Sequence, residues 1–127
     1  MTENEVAAQV VDAAYKVHVA LGPGLLESVY QTVLAYELEK RGLRVDKEAP
    51  MPIFYDGMQI HAGFKADLLV EDLVIVELKS VEALAPIHKK QLLTYLRLSR
   101  TRLGLLINFD VELIKNGITR IANGLPE

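Results

Sequence analysis

Apolar residues recur at helical spacing over the first 40 positions of the chain. Thr2 and Glu5 form a capping-box pattern, which predicts a helix from about residue 3 to about residue 20. Gly22-Pro23-Gly24 cannot continue that helix, because two flexible residues flank one that lacks an amide donor. A second helix follows and stops at Gly42. Its apolar stripe is Leu26, Val29, Tyr30, Val33, Leu34 and Leu38.

After Gly42 the apolar period changes towards two, which is typical of strands. Alternation runs to an Asp56-Gly57 turn, in a strand interrupted near Pro50 and Pro52. Residues 59–70 and 73–79 then predict a hairpin of two long strands with Glu71-Asp72 at its tip.

The rest of the chain predicts a helix between two strands. Pro86 suits the first turn of a helix that ends near Arg100, and the apolar run 103–109 is typical of a strand buried on both faces. Residues 111–121 predict a weaker final strand. The order is α-α-β-β-β-α-β-β, and the strand-helix-strand connection implies a parallel pair within a mixed sheet. The fold class is therefore α/β, with helices flanking one sheet.

Composition restricts the classes of protein that the chain can represent. Its 127 residues predict one domain spanning 1–127, and a hydrophobic fraction of 50% predicts a sheet covered on both faces or a buried oligomer contact. No uncharged apolar run reaches the ~18 residues of a membrane span. The acidic start, Met1-Thr2-Glu3-Asn4-Glu5, differs from a secretory signal, so we expect a cytoplasmic protein without membrane contact.

The residue types also limit the chemistry. With no cysteine, any metal must be bound by oxygen or imidazole, and thiol nucleophiles are excluded. Neither a nucleophile-elbow serine nor a phosphate-binding glycine loop is present. The net charge is −3. Positive charge nevertheless gathers in one segment, which contains His88, Lys89, Lys90, Arg97, Arg100 and Arg102.

Three charged residues interrupt the apolar hairpin strands. Asp67 lies in the first strand, and Glu77 and Lys79 close the second. A charge among core residues costs several kcal/mol unless a partner or a metal compensates it. Two carboxylates and a lysine at a strand end suit metal-assisted hydrolysis of phosphodiesters, because the oxygens hold a divalent cation while the ammonium orients a water.

The hairpin register decides whether these groups meet. Alternation puts Glu77 and Lys79 on one face of the sheet, and Asp67 joins them only if the connection has an odd number of residues or a bulge. A two-residue turn would place Asp67 opposite Val76. The alternative is an ordinary ion pair between Asp67 and Lys79 with Glu77 solvated, worth under about 1 kcal/mol.

Further candidates lie on the helices. Glu27 falls on the side of the second helix that carries its apolar stripe, although an acid at a helix start also opposes the macrodipole. Gln91 and Tyr95 are one turn apart and could reach a phosphate or a metal-bound water, or simply bridge core and surface. No histidine has ligand-like spacing, and His88 is the best placed to touch an anionic substrate.

Taken together, these motifs resemble a known family. Gly24-Leu25-Leu26-Glu27-Ser28-Val29-Tyr30 resembles the pattern that names the GxxExxY proteins, a branch of the PD-(D/E)XK nuclease superfamily. Ala66-Asp67 is similar to the superfamily's aspartate strand, with alanine where proline is usual, and Glu77-Leu78-Lys79 to its E-x-K motif. The segment 91–95 is similar to the Q-x-x-x-Y helix of RecB-like nucleases.

The resemblance implies a fold and a set of roles. The fold would be a restriction-endonuclease-like core. Asp67, Glu77 and the Leu78 carbonyl would bind Mg²⁺ or Mn²⁺, with Glu27 as a further ligand or a metal-water acceptor. Lys79 would orient the attacking water. Gln91 and Tyr95, with His88, Lys89 and Lys90 of the basic helix, would position the substrate.

We therefore expect a metal-dependent nuclease acting on DNA or RNA, working as a homodimer or recruited by a partner protein. The alternative is a catalytically inactive module that has kept the fold for nucleic-acid binding or protein assembly. The acidic net charge and the high apolar content would suit that second class.

Overall fold

A computed structural model describes residues 1–126 and has the predicted order of helices and strands. The α/β fold class is confirmed. Its elements are α1 (Glu3–Leu21), α2 (Glu27–Lys40), β1 (Val45–Tyr55), β2 (Met58–Val70), β3 (Val74–Lys79), α3 (Pro86–Ser99), β4 (Leu103–Asn108), a 3₁₀ turn (Ile114–Asn116) and β5 (Ile118–Ala122).

The five strands form one mixed sheet in the order β1-β2-β3-β4-β5. β3 and β4 run parallel, as expected of two strands joined through a helix, and the other neighbours run antiparallel. The parallel arrangement places the ends of β3 and β4 at the same edge of the sheet, where Lys79 lies opposite Asn108.

Helices cover both faces of the sheet. A larger hydrophobic cluster joins α1 and α2 to one face, and a smaller cluster joins α3 to the other. The bulkiest residues of the larger cluster include Tyr30, Leu34, Leu38, Leu68, Leu105 and Phe109. The smaller cluster consists of Ala49, Met51, Ala66, Leu69, Ile75, Leu92, Leu96 and Leu106. Burial on both sides explains why β4 lacks alternation in its sequence.

Two local expectations differ from the structure. The strand predicted over 111–121 begins only at Ile118, because Ile114 is buried in the larger cluster and residues around it form the 3₁₀ turn. The break expected near Pro50 and Pro52 is a register shift between Met51 and Ile53 within a continuous β1. β1 lies at the sheet edge, where proline is tolerated.

The first two strands reverse their alternation at the position of Glu48 and Asp67. Val45 of β1, before this point, and Leu68 and Val70 of β2, after it, enter the larger cluster. Ala49 of β1 and Ala66 of β2, at positions of the same parity on the other side of this point, enter the smaller one. Residues 49–66 thus form an arm that packs towards α3, and the arm's Phe64 ring stacks on Tyr95 with centroids 3.9 Å apart.

Within residues 1–126, no helix has the length and apolar character needed to cross a membrane.

Candidate metal centre

The register between β2 and β3 brings the two predicted acids together. Leu68, Leu69 and Val70 pair with Val76, Ile75 and Val74, so the connection is the three residues 71–73. One step further, the same register sets Asp67 opposite Glu77. The two-residue turn that would have separated the acids is absent from this hairpin, because Leu73 belongs to the turn and packs against the larger cluster.

Strand pairing between β2 and β3 ends at Leu68 and Val76, and a side chain replaces the next ladder bond. The Leu78 amide N–H donates to Asp67 Oδ2 at 2.8 Å. We call this opening between the two strands, bounded by Asp67 and Glu77, the split. The hydrogen bond to the backbone fixes the direction of the Asp67 carboxylate towards β3.

The backbone of β3 also directs a carbonyl to the split. The Lys79 carbonyl accepts a hydrogen bond from the Phe109 amide at 2.9 Å, on the β4 side. Because carbonyls alternate in direction along a strand, the Leu78 carbonyl points to the β2 side, past the last paired residues. A third oxygen therefore faces the split beside the two carboxylates.

Glu77 carries a buried oxygen that lacks a partner. Its Oε1 atom is fully buried and has no hydrogen bond among the described residues. Burial and, after it, the nearby Asp67 carboxylate raise the pKa of Glu77 to about 9, because Lys79 opposes the shift only in part. Without a cation, this carboxyl holds a proton at neutral pH.

The structure does not support the alternative of an ion pair between Asp67 and Lys79. Within the described part of the chain, no nitrogen of Lys79 lies within 4.0 Å of an Asp67 oxygen. Glu77 is also half-buried, instead of solvated at an edge. These charges are thus not explained by a cross-strand salt bridge.

The oxygen donors of the split suit a hard divalent cation. Among residues 1–126, no three acidic or histidine side chains are close enough to hold a metal by themselves. Two carboxylates and one carbonyl remain, and Mg²⁺ is commonly held by one or two carboxylates while it keeps several waters. The orphaned Glu77 oxygen is the group that such a cation would satisfy.

Glu27 is the first residue of α2 and is exposed. The start of α2 lies beside the end of β3, because the Ser80 hydroxyl donates to the Leu25 carbonyl at 2.5 Å. Glu27 does not form a three-acid group with Asp67 and Glu77 in the described residues.

Tyr95 approaches the split from α3. Burial raises the pKa of the Tyr95 phenol, and the Glu77 and Asp67 carboxylates raise it further, which places the phenol within their electrostatic reach. Gln91 lies one turn earlier on the same helix and is exposed. The smaller cluster and the stack with Phe64 hold α3 in this position.

The remaining substrate-binding candidates lie at the start of α3. His88 Nδ1 accepts a hydrogen bond from the Ala85 amide at 3.1 Å, so this histidine caps the helix. Lys89 and Lys90 are exposed and line a hollow with Asn108 and Thr119, outside the split. They offer positive charge near the site without touching its carboxylates.

Sequence reasoning missed two residues that contact the site. Gln31 of α2 donates through Nε2 to the Asp67 carbonyl at 2.9 Å and to Glu48 Oε1 at 3.1 Å. The spacing of Gln31 one turn after Glu27 was the available signal, because both then lie on the same side of α2.

An apolar hollow beside α1 lies away from this chemistry. It measures about 600 Å³ and is lined by α1 together with Leu105, Ile118 and Arg120. We assign the chemistry to the split instead, since the buried Glu77 oxygen there has no partner among the described residues and the pKa of this carboxyl is strongly raised.

A family model for the PD-(D/E)XK nuclease superfamily matches residues 4–121. The chain therefore belongs to this superfamily, and its mixed sheet between helices agrees with the restriction-endonuclease-like fold implied by the sequence motifs. The curated proteins contain no match to the chain. No solved structure matches it.

Proposed function

We propose that the protein is a metal-dependent nuclease that hydrolyses phosphodiester bonds of DNA or RNA. The single observation that carries this proposal is the buried, unpartnered Glu77 oxygen opposite Asp67 in the split. Membership of a nuclease superfamily supports the same reading, and the segment 24–30 favours the GxxExxY branch within it.

Each residue has a role that its position supports. Asp67, Glu77 and the Leu78 carbonyl would hold Mg²⁺ or Mn²⁺, with Glu27 accepting from a metal-bound water. The cation supplies Lewis acidity towards the phosphoryl oxygen and lowers the pKa of bound water. Lys79 orients the attacking water and stabilises negative charge that develops on the phosphate.

The substrate would approach along α3. Gln91 and the Tyr95 hydroxyl can donate hydrogen bonds to phosphate oxygens, and Lys89 and Lys90 attract the backbone. His88 can contact the same backbone through the ring nitrogen that does not cap the helix. A second copy of the chain or a partner protein would enlarge this small substrate-binding surface.

The test is a cleavage panel on single- and double-stranded DNA and RNA with Mg²⁺ and Mn²⁺. We expect metal-dependent cleavage that Asp67→Ala and Lys79→Ala abolish. Lys115→Ala is the matched control, since Lys115 is an exposed lysine within the 3₁₀ turn and outside the split.

An inactive binding or assembly module predicts a different outcome from the same panel. It would show no cleavage of any substrate with either metal, while folded wild type retained nucleic-acid or protein binding. The net charge of −3 is the observation that favours this alternative. Cleavage retained by Lys79→Ala would instead indicate a contaminating nuclease.

A further inference from the structure

Gln31 bridges two strands at the point where Asp67 enters the split. Its Nε2 atom donates to the Asp67 carbonyl and to Glu48 Oε1. Both partners are acceptors, so both amide protons are used and the orientation of the amide is fixed. The Gln31 side chain is half-buried, and it reaches the sheet from the α2 side, opposite α3.

The strand segment that carries Asp67 needs such support. Glu48 has a φ of +50° within β1, in the left-handed region that residues with a Cβ rarely adopt. The flanking pairs, Lys47 with Leu68 and Ala49 with Ala66, set Glu48 opposite Asp67. The ladder is therefore irregular at the residue pair where the chain changes faces.

The side-chain carboxylate and the backbone carbonyl of Asp67 are held by different elements. Its carboxylate accepts from the Leu78 amide of β3, and its carbonyl accepts from Gln31 of α2. A rotation of this residue out of the split would break both hydrogen bonds. Loss of the Gln31 donor removes one of the two restraints and leaves the carboxylate held only by the Leu78 amide.

We propose that Gln31 is a positioning residue that holds Asp67 in the split, and that Glu48 holds the Gln31 amide in place. The consequence for metal binding rests on the proposed function; the consequence for Asp67 itself does not. Groups that orient metal ligands typically change metal affinity or activity by 10- to 100-fold when they are removed.

The first measurement is hydrogen exchange of the Leu78 amide by NMR on the metal-free protein. Gln31→Leu should accelerate exchange at Leu78 by about tenfold or more relative to the Val76 amide of the same strand. Thr32→Ala is the control, because Thr32 is an exposed neighbour on α2 whose hydroxyl contacts only the Ser28 carbonyl of its own helix. If Gln31→Leu does not fold, the shorter Gln31→Asn replaces it.

The second measurement is Mn²⁺ affinity by calorimetry, with about 10- to 100-fold weakening expected for Gln31→Leu. Glu48→Gln keeps an acceptor for the Gln31 amide and should retain both Leu78 protection and Mn²⁺ affinity. Unchanged Leu78 exchange in Gln31→Leu would overturn the positioning role. Absence of Mn²⁺ binding by wild type would count against the proposed function alone, because the exchange result does not depend on metal.

Discussion

Glu77 lies two residues before Lys79 on one face of β3, with a buried Oε1 atom that has no hydrogen-bond partner within residues 1–126. A residue with this environment destabilises the protein whenever it is charged and uncompensated. A divalent cation would reverse that effect, since it favours the ionised form and satisfies the free oxygen. We therefore expect two opposite effects of an ionised Glu77 on the protein, one without metal and one with it.

Without metal, stability should fall as the pH rises. The pKa of Glu77 is raised from 4.5 to about 9 in the folded protein, so the folded state keeps a proton that the unfolded state releases between these values. The free energy of unfolding at pH 7 should therefore be lower than at pH 4.5 by on the order of 3 kcal/mol. Urea unfolding of wild type and Glu77→Gln at pH 5, 7 and 8.5 measures it.

The glutamine variant serves as the reference in that series. Glu77→Gln cannot ionise, so we expect its stability to vary less over this range and to exceed that of metal-free wild type at pH 8.5. Parallel pH profiles for the two proteins would show that Glu77 does not hold the proton.

With metal, binding should release a proton. Because the cation requires ionised Glu77, Mn²⁺ affinity should rise by about tenfold per pH unit between pH 6 and 8. Calorimetry in two buffers of different ionisation enthalpy should give a release of close to one proton per ion at pH 7. A pH-independent affinity would mean that Glu77 is not a ligand.

At the scale of elements, α3 is held against the sheet by a close approach to β4. A Cβ built on Gly104 would lie 3.1 Å from the nearest side-chain carbon of Leu92. Leu92 is buried in the smaller cluster, one residue after Gln91. The small residue at position 104 thus allows α3, the helix that carries Tyr95, to pack closely on β4.

A larger residue at this position should displace the helix. We expect Gly104→Val to destabilise the protein by about 1–3 kcal/mol through overpacking, and to weaken cleavage beyond what the lost folded fraction explains. Urea unfolding and the specific activity of the folded protein give the two quantities. Normal activity per folded molecule would show that the position of α3 does not matter for cleavage.

The ring and the hydroxyl of Tyr95 have different roles, the ring in packing and the hydroxyl in the proposed chemistry. Its ring stacks on Phe64, whereas its hydroxyl is the group near the acids. Tyr95→Phe should keep stability within about 0.5 kcal/mol and lower cleavage, while Tyr95→Ala should lose about 2 kcal/mol as well. Equal activity of wild type and Tyr95→Phe would exclude a role for the hydroxyl.

At the scale of the whole molecule, the sequence predicted those features that depend on neighbouring positions. The order of helices and strands along the chain and the parallel pair follow from periodicity, caps and turns, and both predictions were correct. Register was left open, because Glu71 and Asp72 both adopt positive φ without glycine and Leu73 looks like a strand residue. The contact of Gln31 with Asp67 spans 36 positions, so the spacing of Gln31 from Glu27 indicates its side of α2 but not this partner.

Substrate attraction is also a property of the whole surface. A protein with a net charge of −3 must place its positive charge locally to bind a polyanion. Lys89 and Lys90 are exposed at the start of α3, the helix that also carries Gln91 and Tyr95 towards the split. Two phosphate contacts from these lysines would contribute about 2 to the slope of log affinity against log salt.

The double variant Lys89→Glu/Lys90→Glu tests this contribution. Binding of a DNA or RNA substrate, measured by fluorescence anisotropy in Ca²⁺ between 50 and 200 mM salt, should weaken, and its salt slope should fall by about 2. Lys115→Glu changes the charge outside the split and should leave the slope close to wild type. Equal slopes for the double variant and Lys115→Glu would mean that Lys89 and Lys90 at the start of α3 do not contact the phosphate backbone.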